Sequence, residues 1–358
     1  MSEVKQRREQ IKYEGPVTRA APAHHPRKQS IYSCRRQCPI IVTSFLIILA
    51  FTYLMSPTYI DPVKVELPSL VKLDGPLKVN NKLTNSQKLF NGRLRGPESI
   101  AYFEGSFYAG QLNGFIIKWN ESGLFNFSRL VGGHALSDNL ESINTCGRPL
   151  GLRIDKDRRR LIVADAYLGY LLTMVIPFCS NELAKGSSQK LFPKEFPYRV
   201  TCIDDIDILP DGRILVSEAS DRFPLHNFMY ALLDGRPNGR LLLVYPNSSW
   251  DILVDGIFFA NGVQLHSDGS TVLLAETGTS RILRVSLDGT GDYGIFSDQL
   301  PGFPDNIRES SKGGYWVALG STRHSEAPSV FDRLSNWPSI RFILHKRTFV
   351  DYKAERRE

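Results

Sequence analysis

Residues 259–286 read FANGVQLHSDGSTVLLAETGTSRILRVS, a series of short β-prone segments separated by turn residues. Asp268-Gly269 is a turn signal between FANGVQL and TVLLAE, and the small polar cluster TGTS separates TVLLAE from RILRVS. Short apolar segments bounded by such residues are typical of antiparallel strands joined by tight connections. The stretch therefore predicts consecutive strands of one sheet.

The same arrangement recurs along the chain from about Phe90. Comparable segments begin near five positions, with spacings of 53, 53, 57 and 44 residues: Glu98, Gly151, Asp204, Asn261 and Asp305. A recurrence every 40–50 residues or so is typical of the four-stranded blades of a propeller. We therefore predict that residues 89–358 form an all-β, six-bladed β-propeller whose last blade is missing or incomplete. The segment DRFPLHNFMYALLDG, residues 221–235, is predicted to be a short helical insertion.

A long apolar segment precedes the predicted propeller. No charged residue lies between Arg36 and Asp61, and residues 39–55 read PIIVTSFLIILAFTYLM, near the lower end of the ~17–25 residues that span a bilayer. Arg35 and Arg36 adjoin this segment, and basic flanks stay in the cytoplasm. We predict a type II protein of the endoplasmic reticulum, Golgi or plasma membrane, with a cytosolic tail at 1–38, an uncleaved signal-anchor helix at 39–57 and a stalk at 58–88.

The charge distribution argues against a nucleic-acid partner. The whole chain has a net charge of +7, and residues 1–38 contain nine basic and three acidic residues. The predicted propeller is therefore almost neutral and lacks the basic surface that binds phosphate backbones. We expect no nucleic acid as a partner, and leave open whether a partner protein binds.

Two features are compatible with the predicted lumenal or extracellular location. Three Asn-x-Ser sequons, at Asn120, Asn126 and Asn247, are candidate glycosylation sites. Three cysteines on the same side allow one disulfide in an oxidising compartment. Their pairing is left open among Cys146, Cys179 and Cys202.

Oxygen-bearing side chains recur at one phase of the blade repeat. Because the innermost strands of propeller blades converge on the central axis, residues at equivalent starts of these strands should lie close together. These residues are Glu98, Asp204, Asn261, Asp305 and Asn306. Carboxylate and amide oxygens suit one axial Ca²⁺, whereas zinc prefers His or Cys. The alternative is that Asn261-Gly262 and Asp305-Asn306 are simply turn residues.

Several motifs, in this order along the chain, resemble the strictosidine synthase-like family: GPESI, CGRPLGLR, VADAYLG, FANGVQL, LLAETGTSRILR and LPGFPDNIR followed by GGYWV. The resemblance covers approximately residues 89–337 and implies a six-bladed propeller. Relatives of the paraoxonase and gluconolactonase type hold calcium at the axis, and the matching positions here are the five oxygen-bearing residues named above. The family usually has Asn at the position of Asp204.

Departures from the family pattern narrow the expected activity. The final-blade glutamate of true strictosidine synthases has no counterpart before Glu358, so we expect no strictosidine synthase activity. Paraoxonase-like enzymes use a His pair, but the corresponding segment here is Arg148-Pro149-Leu150-Gly151. No Gly-x-Ser-x-Gly motif indicates a serine nucleophile.

The remaining hypothesis is a calcium-dependent esterase, arylesterase or lactonase acting on small esters. In this hypothesis the metal polarises the ester carbonyl and Asp204, the candidate catalytic residue, orients water. A family member described as an arylesterase favours this expectation. The alternative is a non-catalytic receptor or adhesion module, since the fold alone does not fix function.

Overall fold

The computed structural model describes residues 31–55, 58–129, 146–176, 189–192 and 200–355. It divides into two compact units, Met1–Pro57 and Thr58–Glu358. In the first unit, helix α1 spans Ile31–Met55, and apolar side chains along it, including Phe45, Ile47 and Phe51, are exposed. Among the helices described, none has both the length and the apolar character needed to cross a membrane.

The described residues of the second unit form mainly five antiparallel sheets. The first sheet contains β1 (Ile100–Phe103), β2 (Ser106–Gly110), β3 (Phe115–Asn120) and β4 (Gly123–Arg129). The second contains β5 (Pro149–Asp155), β6 (Arg160–Asp165), β7 (Tyr170–Val175) and β8 (Gln189–Phe192). The third contains β9 (Cys202–Ile208), β10 (Ile214–Ser220), β11 (Gly239–Val244) and β12 (Trp250–Ile257). The fourth contains β13 (Ala260–Leu265), β14 (Thr271–Glu276), β15 (Arg281–Ser286) and β16 (Tyr293–Ser297). The fifth contains β17 (Gly302–Glu309) and β18 (Tyr315–Thr322).

The five predicted blade starts correspond to the first strands of these sheets. Glu98 lies two residues before β1, and the other four positions lie within β5, β9, β13 and β17. First strands of successive sheets contact one another in sequence order, from β1 to β17. This is a propeller-like arrangement around one axis. Within the described residues the fifth sheet has two strands and there is no sixth sheet, so the predicted number of six blades stays a prediction.

The hydrophobic core consists of layers between neighbouring sheets. In β6, for example, Leu161 and Val163 pack towards the first sheet, whereas Ile162 and Ala164 pack towards the third. Successive side chains of a strand point to opposite faces, so a strand between two sheets must be apolar at nearly every position. This requirement accounts for the continuous apolar runs in the sequence. Two further layers join the third sheet to the fourth and the fourth to the fifth.

Three α-helices with described ranges accompany the sheets in the second unit. Helix α2 (Phe228–Asp234) confirms the short helical insertion predicted at 221–235. Helix α3 (Val330–Leu334) begins with a capping box in which Ser329 and Asp332 exchange hydrogen bonds, and α4 spans Pro338–Glu355. Such reciprocal bonds satisfy N–H groups at the helix start that have no partner within the helix.

The beginning of the predicted stalk is packed against the second unit. Ile60, Val65 and Val71 are buried. The backbone N–H of Val63 donates to the carbonyl of Asp234, and Arg341 of α4 donates to the carbonyls of Val63 and Leu233. Residues 60–71 therefore belong structurally to the folded unit and link α2 to α4.

The same irregularity interrupts the first strand of four sheets. In β9, Ile206 pairs with Val216 and Ile203 pairs with Glu218, so two residues of β9 lie opposite Ser217 alone. Corresponding register shifts occur at residues 150–151, 261–262 and 305–306. Such β-bulges bend a strand and redirect its side chains. Here they fall on the positions that the sequence pattern singled out.

Candidate functional site

The bulges bring the predicted oxygen-bearing residues together near the axis. Asn306 of β17 donates a hydrogen bond from its amide Nδ2 to Oε1 of Glu98, which lies just before β1. The side chain of Asn261 in β13 donates to the carboxylate of Asp305. Asp204 in β9 experiences repulsion from Glu98 and Asp305. All five predicted residues thus belong to one cluster, contributed by three sheets and by the segment just before β1.

Three oxygens of this cluster are buried without a hydrogen-bond partner in the described residues: Glu98 Oε2, Asn261 Oδ1 and Asn306 Oδ1. A buried polar atom without a partner is unfavourable by about 1–3 kcal/mol, and several at one place call for a ligand or water. No group of three or more His, Cys, Asp and Glu side chains among the described residues is arranged to hold a metal by itself. The three unpartnered atoms, together with Asp204 and Asp305, nevertheless match the mixed carboxylate and amide donors that suit Ca²⁺.

The electrostatics of the cluster disfavour several negative charges. Burial, and then the charges of Asp205 and Asp305, raise the pKa of Glu98 to about 7. Burial, followed by repulsion from Glu98, raises the pKa of Asp204 well above its ordinary value. Burial likewise raises the pKa of Asp305. A cation among these carboxyl groups would reverse the direction of these shifts, because it favours the ionised forms.

Asp205, which the sequence analysis did not single out, ties the sheets together beside the cluster. Its carboxylate accepts a bidentate pair of bonds from Arg308 (2.7 and 3.1 Å), one from Arg153 (3.4 Å) and one from the backbone N–H of Val263 (3.0 Å). Arg308 also donates to Ser99 Oγ at 2.8 Å. Burial alone would raise the pKa of Asp205, but the two guanidinium groups hold it below its ordinary value.

Arg148 lies in the segment that the sequence analysis found to lack a His pair. The side chain is buried, and its Nη1 has no hydrogen-bond partner in the described residues. Burial lowers the pKa of Arg148, and attraction to Glu98, Asp165 and Asp204 opposes this effect. Arg148 thus supplies positive charge to the acidic cluster, a role that its position in CGRPLGLR did not reveal.

A cavity of about 480 Å³ adjoins the cluster, with Asn261 and Asp305 in its lining. The remaining lining is mostly apolar and comes from α2, α3 and the ends of β-strands near the axis. Ligand sites are commonly apolar cavities of about 300–1,000 Å³ with a few convergent polar groups. The arrangement can therefore hold a small organic molecule with a polar group near the oxygen cluster.

The other predicted site residues lie away from this cavity. Asn126 and Asn247 are exposed, whereas Asn120 is half-buried and donates to Ser106 Oγ at 3.4 Å. Cys146 and Cys202 are buried, and Cys202 forms no disulfide in the described part of the chain. Cys179 lies outside the described residues. A pairing between Cys146 and Cys202 is thus not observed.

The fold and the axial cluster define a propeller-like protein with an oxygen-rich site beside an apolar cavity. Two family profiles match the chain: "Strictosidine synthase" over residues 204–290 and "Strictosidine synthase-like, N-terminal" over residues 75–119. Among curated relatives, adipocyte plasma membrane-associated protein from Rattus norvegicus is 35% identical over 269 residues, which cover 73% of this chain and 68% of the relative. The Gallus gallus protein of the same name is 32% identical and covers 92% of this chain and 79% of the relative. The chain belongs to the strictosidine synthase-like family, and the resemblance seen in the motifs is confirmed.

Other comparisons cover the chain only in part. Adipocyte plasma membrane-associated protein from Salmo salar is 36% identical over 266 residues, which cover 73% of this chain. The chain spans 62% of that relative's length. A gluconolactonase structure from Xanthomonas campestris has a TM-score of 0.48 and 17% identity, covering 64% of this chain and 71% of the other. The calcium-binding protein regucalcin from Agrobacterium tumefaciens has a TM-score of 0.44 and 16% identity, and the match covers 63% of this chain and 68% of the other.

Proposed function

We propose that this protein is a calcium-dependent hydrolase of esters or lactones, of the esterase or arylesterase type, tethered to a membrane by residues 39–57. The observation that carries the catalytic proposal is the position of the unpartnered Asn261 oxygen, which belongs both to the acidic cluster and to the lining of the apolar cavity. A substrate in the cavity would thus place its polar reacting group beside cation-binding oxygens.

Each residue of the cluster has a distinct part in this proposal. Glu98, Asn261 and Asn306 would hold the cation through their unpartnered oxygens, and Asp305 would complete the set. Calcium bound there supplies polarisation of the ester carbonyl and stabilisation of the developing oxyanion. Asp204 orients the attacking water and accepts its proton at a carboxylate oxygen, and the proton then passes to the leaving alkoxide.

The positioning residues lie immediately behind the cluster. Asp205 follows Asp204 in the same bulge, and Ser217 secures this bulge because its Oγ accepts from the N–H of Asp205 at 2.9 Å and donates to its carbonyl at 3.2 Å. Arg308 and Arg153 then fix the carboxylate of Asp205. Asp204 is therefore held at the axis by a rigid framework, as precise catalytic geometry requires.

The membrane tether is proposed on separate grounds. The exposed apolar side chains of α1 need an apolar environment, and Arg35 and Arg36 precede them in the sequence. The curated relatives carry a name that describes association with the plasma membrane. We infer the same type II arrangement for this chain, with the propeller on the lumenal or extracellular side.

The test is hydrolysis of phenyl acetate by the purified full-length chain, with calcium and with a chelator. We expect turnover that disappears on chelation and returns with calcium. Asn261→Ala and Asp305→Ala should lower kcat/KM by at least about 100-fold, as loss of oxyanion stabilisation does elsewhere. Asp292→Ala, which changes an exposed aspartate in the connection between β15 and β16, is the matched control and should retain activity.

A melting curve of the same samples separates the alternatives. If chelation lowers the melting temperature but no ester or lactone is ever hydrolysed, the calcium is structural and the chain is a binding module. If chelation changes neither turnover nor melting temperature, the cluster holds no calcium and the proposal is wrong.

A further inference from the structure

We infer that the cavity beside Asn261 receives a long apolar group of the substrate, so that the protein selects esters of about eight to twelve carbons over acetates. This inference rests on the proposed hydrolase function and specifies its substrate class. The apolar group can belong to the acyl or to the alcohol part of the ester.

The apolar faces of two helices form much of the cavity wall. On α2 the lining residues follow the spacing i, i+1, i+4 and i+5, and on α3 the spacing i, i+1 and i+4: Phe228, Met229, Leu232 and Leu233, then Val330, Phe331 and Leu334. These spacings place the side chains of each helix on one face. Both helices therefore direct their apolar faces into the same space.

The polar side chains of this lining are few. Asn261 and Asp305 come from β13 and β17, and Ser321 and Ser329 add two hydroxyl groups. Thr277 directly follows β14, and its Oγ1 already donates to the carbonyl of Pro304 at 2.7 Å. Among the described residues, Asp305 is the only charged residue that lines the cavity. A sugar or a strongly anionic substrate would lose its hydration against the helical walls without gaining partners. An aliphatic chain makes no hydrogen bonds to water, so it would lose none on entering the cavity.

The size of the cavity sets the expected length of the apolar group. Its volume of about 480 Å³ is roughly three times the ~150 Å³ that accommodates benzene in an apolar protein cavity. An acetyl group leaves most of this space unfilled. The entrance is also apolar, since Met229 and Val330 are 50% and 72% exposed. A bound chain would cover apolar surface that is otherwise in contact with water.

The first experiment measures kcat/KM of the full-length chain with calcium on p-nitrophenyl esters from acetate to decanoate, and on alkyl acetates of the same lengths. We expect kcat/KM to rise about three- to fourfold for each added methylene in at least one series, until the cavity is filled. Turnover that is equal for all lengths in both series would overturn the inference while leaving the hydrolase function intact.

Variants at the entrance test whether this cavity is responsible. Val330→Asp places a charge in the apolar entrance at the first turn of α3, where an acidic residue is compatible with the helix. It should lower the ratio of decanoate to acetate kcat/KM by at least tenfold. Val79→Asp is the matched control, because Val79 is also 72% exposed and does not line the cavity, and it should leave the ratio unchanged.

A binding measurement keeps the inference testable without turnover. Methyl n-alkyl ketones resemble esters but are not hydrolysed, and calorimetry gives their Kd directly. We expect Kd to fall with chain length in the natural chain and to lose this dependence in Val330→Asp. Absence of ester turnover together with length-dependent ketone binding would reject the hydrolase and retain the apolar site. Ketone binding that is absent or independent of length would reject the site.

Discussion

Glu98 illustrates how the cluster makes stability depend on pH. Its Oε1 accepts a bond from Asn306, its Oε2 has no partner in the described residues, and burial raises its pKa from 4.5 to about 7. The folded protein therefore binds this proton more tightly than the unfolded chain does. By linkage, the free energy of unfolding falls as the pH rises from about 4.5 to about 7.

With a chelator present, we expect the melting temperature of the natural chain to fall between pH 5 and pH 8. Glu98→Gln should flatten this dependence, because the amide does not ionise. Glu326→Gln, an exposed glutamate, should keep the slope of the natural chain. Calcium should raise the melting temperature most at pH 8, where the carboxylates are ionised. An identical slope in Glu98→Gln and the natural chain would contradict this explanation.

Asp205 is expected to be the residue at the axis whose loss is most damaging to the fold. Its fully buried carboxylate compensates Arg308 and Arg153, whose side chains are 27% and 13% exposed. Asp205→Asn would leave the guanidinium group of Arg308 without its paired carboxylate and would leave Arg153 with Asp207 alone, at a cost of about 3–5 kcal/mol. Urea unfolding measures this loss.

The matched control for Asp205→Asn is Asp211→Asn. Asp211 pairs with Arg213 at 2.7 Å, but its side chain is 51% exposed. Exposed ion pairs contribute only about 0–1 kcal/mol. Equal destabilisation by the two substitutions would show that the buried network of Asp205 does not hold the sheets together.

At the level of elements, the close approach of β13 and β17 shapes the site. A Cβ atom at Gly262 would lie 2.3 Å from the carbonyl oxygen of Asp305 and 2.7 Å from the Cα of Asn306. These are backbone atoms, so an alanine fits only if the two strands separate. Glycine is required here by space between strands and not by an unusual backbone angle.

Gly262→Ala should therefore lower stability and weaken calcium binding together, since it moves Asn261 away from Asp305. Calorimetric titration with calcium and a thermal melt measure the two effects. Gly294→Ala in β16 is the control, because its added Cβ would meet no atom of the described residues within 4 Å. Unchanged calcium affinity in Gly262→Ala would mean that the distance between these strands does not determine the site.

The sequence predicted the first strand of every sheet and the shared phase of the site residues, because turns and alternating apolar segments are local signals. It could not predict the bulges. Strict alternation puts Asp305 and Asn306 on opposite faces, yet the bulge lets one contact Asn261 and the other Glu98. Asp205 was also missed, since its partners lie 52 to 103 residues away.

At the level of the whole folded unit, apolar layers lie between sheets and a charged network lies at the axis. The layers are non-directional and could tolerate small shifts between sheets. The network is directional, because it consists of hydrogen bonds. Asp205 accepts bonds that join the third sheet to the second, fourth and fifth. Ser99 Oγ accepts hydrogen bonds from both Arg308 and the backbone N–H of Leu152. We therefore attribute the common alignment of the first strands to the axial network.

The proposed topology makes a prediction for the whole chain, because a lumenal propeller would be accessible to glycosylation. Asn126 and Asn247 are exposed on outer parts of the sheets, at β4 and at the turn between β11 and β12. In cells, the full-length chain should stay with membranes after carbonate extraction and should lose apparent mass on enzymatic deglycosylation.

Asn126→Gln and Asn247→Gln should each remove one glycan. In the double variant, enzymatic deglycosylation should change the apparent mass much less than in the natural chain. Asn80→Gln is the control, since Asn80 is exposed but lies in no Asn-x-Ser/Thr sequence. Membrane association without any glycan would place the propeller on the cytosolic side and contradict the type II orientation. If the protein is glycosylated but carbonate releases it from membranes, the proposed anchor is wrong. A spanning helix with the exposed apolar side chains of α1 does not leave the bilayer at high pH.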